Sequence, residues 1–173
     1  MNYFNGQLLT ADDFRAEQDY QRQKHRLHNL RFHGSGVVEG LGVSVARDGG
    51  APVVIVSPGF ALDPAGNEIQ LCTEVRLRLG GLRTQLHVLI RFAERPADQV
   101  PALLQPTRIE EGCEVLLSAT ADPPASSPDP QGHGSPATVL PLARLVRGRG
   151  GWRVDRKFKT PRPTASKRRH GYN

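Results

Sequence analysis

Apolar side chains crowd the start of this chain. Tyr3, Phe4, Leu8 and Leu9 come before the first helix signal, where frayed polar residues are usual unless something holds the terminus down. Their need for a cover marks the amino terminus as packing surface. Thr10 then reads as a helix N-cap, with Asp13 three residues on in the capping-box position. Leu9 and Phe14 have the spacing of a hydrophobic staple, and Asp12 and Asp13 suit the positive end of a helix. No Pro or Gly follows until Gly34, so the pattern predicts a helix from about Ala11 to about Phe32. Wound at about 100° per residue, it carries two nonpolar stripes. Ala16, Tyr20, Leu27 and Leu30 share one side. Phe14, Gln21, His25, His28 and Phe32 lie nearly opposite, and Arg15, Asp19, Arg22 and Arg26 run down a flank between them. A helix on a single core needs one stripe. Either the second stripe meets a second neighbour, or Phe14 and Phe32 cap the ends of one buried face that includes Tyr20.

After Gly34 the period drops to two and turns become frequent. Val43 and Val45 alternate, Val53 to Val56 form a compact apolar run, and "SPGFALDPAGNEIQL" reads as strand, turn at Asp63 to Gly66, and return strand. In "EVRLRL", Val75, Leu77 and Leu79 point inward and Arg76 and Arg78 outward. "LHVLIRF" has the continuous character of a central strand, and "EVLLSA", "LPLARLV" and "GWRVD" supply three short ones. The fold expectation is therefore α+β: a long amino-terminal helix packed on an antiparallel β domain, either a sandwich or a partly open barrel of short strands. Residues 1–36 hold the apolar segment and helix. Residues 37–156 form the β domain, with a flexible Pro/Ser/Gly loop near 120–137, and residues 157–173 a basic flexible tail.

Charge changes the picture only at one end. The 173 residues carry a formal charge of +6. From Arg156 to Asn173 there are seven basic residues and no acid, which leaves sixteen basic against seventeen acidic residues elsewhere. The high pI therefore says nothing about the body. Lys157, Lys159, Arg162, Lys167, Arg168 and Arg169 are the candidate contacts if the chain is instead a module for nucleic acid or another polyanion. Cys72 and Cys113 lie in strand-like apolar runs and read as buried free thiols. Asp12 and Asp13 interrupt any signal-peptide core, and no run approaches the ~20 apolar residues of a membrane span. A cytoplasmic protein is expected, without a membrane span.

Catalytic patterns are weak. His25 and His28 share a helix face, with His33 following, but they lack HExxH spacing and read as interface histidines rather than metal ligands. Glu110 and Glu111 are adjacent, so on a strand they point apart. "GSGVVEG" follows a helix instead of opening one, so it reads as a helix stop and tight passage, not a phosphate loop. Asp63, Asn67 and Glu68 have the wrong spacing for a calcium loop. No catalytic residue, metal or cofactor is expected.

Two stretches resemble proteins encoded with phage-tail-like contractile injection systems. The first is carried by Phe4, Gly6, Gln7, Leu9, Asp13, Phe14, Glu17, Gln18, Tyr20, His28, Asn29, His33, Gly34, Gly36, Val37, Val38, Gly40 and Leu41; the second is "PGFALDPAGNEI". The likeness spans the first half well and the rest loosely, and this chain differs in being short and basic at its end. The resemblance implies a baseplate or tail accessory subunit that is structural and not an enzyme. It would be assembled in the cytoplasm and could leave as part of a particle, with other subunits as partners, self-association open and nucleic acid disfavoured. The residues expected at its interfaces are Tyr3, Phe4, Leu8, Leu9, Phe14, Gln18, Tyr20, His25, His28, Phe32 and Gly36.

Overall fold

A computed structural model describes residues 2–81, 83–100, 105–121 and 138–164. One α-helix, α1 (Ala11–His28), passes into a π-helical turn (Asn29–His33) and then into ten strands. These are β1 (Gly36–Gly40), β2 (Val43–Asp48), β3 (Ala51–Val56), β4 (Gly59–Leu62), β5 (Glu68–Leu71), β6 (Val75–Arg78), β7 (Gln85–Val100), β8 (Gln105–Ser118), β9 (Val139–Gly148) and β10 (Gly151–Val154). They make three antiparallel sheets, β1-β4-β5, β2-β3-β6 and β10-β9-β7-β8. The sheets curl into a half-barrel around one core that draws on all of them: Val37, Ala61 and Ile69; Val54 and Val56; Val88, Ile90, Leu140 and Leu145.

The strands follow from local chemistry. β2 and β3 are joined through Gly49 and Gly50, both at positive φ, the backbone a tight hairpin needs. β6 alternates as its sequence dictates, with Val75 and Leu77 half-buried and Arg76 and Arg78 exposed. Between β4 and β5 the buried Asp63 organises the turn. Its carboxylate accepts from the Ala65 and Asn67 amides, each at 2.8 Å, from Asn67 Nδ2 at 2.7 Å and from Thr138 Oγ1 at 2.8 Å. A buried carboxylate is tolerated when its lone pairs are filled in this way.

Several features differ from the sequence expectations. The regular helix stops at His28, four residues early, because Asn29 is drawn into the domain and the last turn widens around it. β7 and β8 are far longer than the runs "LHVLIRF" and "EVLLSA". Beyond Phe92, where β9 no longer pairs with β7, they continue together as a two-stranded ribbon. Cys72 is exposed just past the end of β5, and Cys113 is half-buried with Sγ 3.4 Å from the Gln70 carbonyl. Burial, and next the neighbouring Cys72, push the Cys113 thiol above its ordinary value. Finally, α1 buries none of its own residues. Tyr20, expected inside, is exposed, as are Leu27 and Leu30 on the same stripe.

The stretch 157–173 was expected to be free. Its described part, residues 157–164, is bonded to the domain. Lys157 N–H donates to Asp155 Oδ1 at 2.9 Å, Thr160 Oγ1 donates to the Leu142 carbonyl at 2.6 Å, and Val37 N–H donates to the Pro161 carbonyl at 2.9 Å. Arg162 Nη1 reaches the Val37 carbonyl at 3.3 Å. Gly36 makes this crossing possible. At φ 144° a Cβ there would stand 2.6 Å from the Arg162 carbonyl carbon. The tight passage read from the glycines is thus a crossing of the two ends of the chain. The loop near 120–137 and Lys167, Arg168 and Arg169 fall mainly or wholly outside the described residues.

Candidate interaction surface

The amino-terminal segment turns back on the helix it precedes. Gln7 N–H donates to the Phe4 carbonyl at 3.2 Å, and Phe4 N–H donates to Gln7 Oε1 at 3.3 Å, around Gly6 at φ 86°. The Tyr3 hydroxyl hydrogen-bonds Glu17 on the second turn of α1. Partial desolvation, then the Glu17 and Asp13 charges, raise its phenol above the ordinary value. Thr10 and Asp13 form the expected capping box: Thr10 N–H donates to Asp13 Oδ2 at 2.8 Å, and Asp13 N–H to Thr10 Oγ1 at 3.4 Å. The bond from the Thr10 backbone, and next the one that the Thr10 hydroxyl donates to Asp13 Oδ2 at 2.8 Å, hold the Asp13 carboxyl below its usual range.

One end of α1 is anchored to the β domain, and the anchor is polar. Arg26 Nε donates to Asn67 Oδ1 at 2.7 Å, and buried Asn29 Nδ2 donates to the Gly66 carbonyl at 3.0 Å. His25 Nε2 lies 3.1 Å from Glu68 Oε1, and Arg22 Nη1 lies 3.9 Å from Glu94 Oε1 on β7. The helix backbone comes so close that a Cβ on Gly66, at φ 88°, would sit 2.5 Å from the Arg26 carbonyl oxygen. Arg22, Arg26 and Asn29, four and three residues apart, define the side of the helix that faces the domain.

The usual amphipathic arrangement is therefore inverted. A helix on a core turns its apolar stripe inward; here Arg22 and Arg26 of the charged flank face the domain, and the large apolar side chains of both stripes are exposed. Phe14, Tyr20, Leu27 and Phe32 are each more than half exposed, and ahead of them Phe4 is 69% and Leu8 85% exposed. His28 stacks on Phe32 with ring centroids 4.8 Å apart and meets His33 edge-on at 5.6 Å.

Of the residues expected at interfaces, Tyr3, Phe4, Leu8, Leu9, Phe14, Gln18, Tyr20, His28 and Phe32 lie exposed on the amino-terminal segment, the helix and its final turn. His25 is exposed but turned toward Glu68, and Gly36 is buried under Arg162 and Pro163. His25 and His28 therefore serve different contacts, and among the described residues no three metal-binding side chains converge. The anchor of Asn29, Gly66 and Asn67 was missed as a site. Its signal was present in the Asp-x-x-Gly-Asn turn, which was read only as a hairpin. Among the described residues, no helix is long and apolar enough to cross a membrane.

The fold has counterparts among solved structures. The chain shares the fold of part of TssK. The crystal structure of TssK matches at a TM-score of 0.56 and 13% identity over 94% of this chain and 42% of that one. A chain of the TssK-TssF-TssG baseplate subcomplex of the type VI secretion system matches at 0.53 and 14% over 93% of this chain and 61% of that one. A chain of the baseplate complex from the type VI secretion system gives 0.53 and 14% over 93% and 41%. This chain thus spans about two-fifths to three-fifths of the length of the chains it matches. No family model matches it, and no curated protein matches it by sequence. The fold neighbours come from a phage-tail-like contractile system, the kind of machine that the sequence resemblance pointed to.

Proposed function

We propose that this chain is a structural subunit of a phage-tail-like contractile injection particle, associated with its baseplate and acting through protein–protein packing. The observation that carries the reading is the inverted helix. Folding leaves Phe14, Tyr20, Leu27 and Phe32 uncovered while the polar side of α1 is used on the domain. Large apolar side chains left exposed along one element in this way mark an interaction site. The fold shared with baseplate proteins and the sequence resemblance support the same role. The surface is an apolar face without a catalytic group, suited to being buried by a neighbour.

Phe14→Ser and Leu27→Ser test this. Neither side chain is buried, so both variants should keep the thermal melt and circular dichroism of the wild type. Incorporation into particles isolated from cells that produce them should fall at least about tenfold, since burying each side chain is worth roughly 1.5–3 kcal/mol. Folded variants that enter particles at the wild-type level would refute the proposal.

A further inference from the structure

We infer that the neighbour on the outward face of α1 is a second copy of this chain, with its helix antiparallel to the first. The inference rests on the reading of that face as a docking surface and names its occupant. Asp13, Glu17, Tyr20, Lys24 and Leu27 follow one another at spacings of four and three residues and so share one face of the helix. They lie on the side of α1 away from Arg22, Arg26 and Asn29, which hold the domain. Two such faces can meet with both β domains on the outside.

Charge order selects the partner and its direction. The first half of the helix carries Asp12, Asp13, Glu17 and Asp19 against Arg15 alone. From Gln21 to His33 there is no acid, and Arg22, Lys24, Arg26 and Arg31 follow one another. A parallel second copy would set Glu17 on Glu17 and Lys24 on Lys24. An antiparallel copy sets the acidic half of each helix against the basic half of the other, about a two-fold axis near the middle of α1. This is the self-complementarity that a two-fold interface requires. Tyr20 and Leu27 supply the apolar contacts along the seam. The 18-residue helix offers a contact about 27 Å long.

The experiment is a charge swap in the full-length chain, read by sedimentation or native mass spectrometry. A reductant is kept present because exposed Cys72 can cross-link copies covalently. Wild type should dimerise. Glu17→Lys places basic groups against Lys24 of the other copy, and Lys24→Glu places acids against its Glu17. Each variant alone should dimerise on the order of a hundredfold more weakly. Mixing the two restores both opposite-charge contacts, so a heterodimer of near wild-type affinity should form, which an unfolded variant could not give. A wild-type dimer indifferent to both variants would overturn the inference. So would a wild type that stays monomeric at every concentration. If in that case Leu27→Ser still blocks incorporation, another subunit covers the face and the proposed function stands without the second copy.

Discussion

Gly66→Ala tests the anchor on which the outward helix depends. Two costs act at this position. A non-glycine residue at φ 88° is strained, by roughly 1–2 kcal/mol. The new methyl would also lie 2.5 Å from the Arg26 carbonyl oxygen and 3.0 Å from its carbon, backbone atoms that cannot rotate away. Overpacking of this sort costs about 1–3 kcal/mol. Gly50 provides the control, because it has nearly the same φ, 84°, with nothing within 4 Å of a Cβ. Gly50→Ala should lose only the conformational part. The clash at Gly66 can be relieved if the helix lifts from the turn, so its cost is capped by what the anchor contributes. The expected result is therefore local as well as global. In urea Gly66→Ala should lose about 1–3 kcal/mol more than Gly50→Ala. Amides from about Asp19 to Leu30 should exchange faster, while those of β3, β7 and β9 change only with the global stability. Equal losses in the two variants, with helix exchange unchanged, would refute the close approach of α1 to Gly66.

Two further outcomes follow from the core and from charge. Ile90 is wholly buried in β7, so Ile90→Ala should cost about 2–5 kcal/mol in urea unfolding; a loss well below that range would show the half-barrel to be loosely packed. The Glu114 carboxyl is held below its usual range, chiefly by the hydrogen bonds from Arg91 at 2.6 and 3.0 Å. A depressed value means that the stabilisation is present above the unfolded-state pKa and is lost as pH falls through the folded one. Stability of the wild type should drop below about pH 4 more than that of Glu114→Gln, and parallel pH profiles would contradict the pairing.

What could be read from the sequence was what local chemistry encodes. The Thr10–Asp13 capping box, the turn at Asp63 to Gly66 and the alternation in β6 depend on near neighbours, and each reads directly. The β7–β8 ribbon was hidden for a physical reason. Arg95, Pro96, Asp98, Arg108, Glu110 and Glu111 are all exposed there, so hydrophobic alternation has nothing to report, and Pro96 argues against a strand. The helix faces were visible as stripes, but periodicity cannot tell which stripe is turned to the chain's own core. One of the two readings put Tyr20 inside because apolar residues usually are. The reverse holds because Arg26 and Asn29 find partners on a turn made by Gly66 and Asn67, some forty residues away along the chain.

The crossing at Gly36 also constrains the order of folding. β1 lies at the edge of its sheet, paired with β4 alone, and its other side is met by the Pro161 carbonyl and the Arg162 side chain, the latter 125 residues away along the chain. During synthesis α1 and the first two sheets leave the ribosome well before that segment exists. An unmet strand edge can recruit strands from other molecules. A nascent chain must therefore carry this exposed edge until translation passes Arg162, and premature stops between Asp155 and Pro161 should yield aggregates where the longer product stays dispersed.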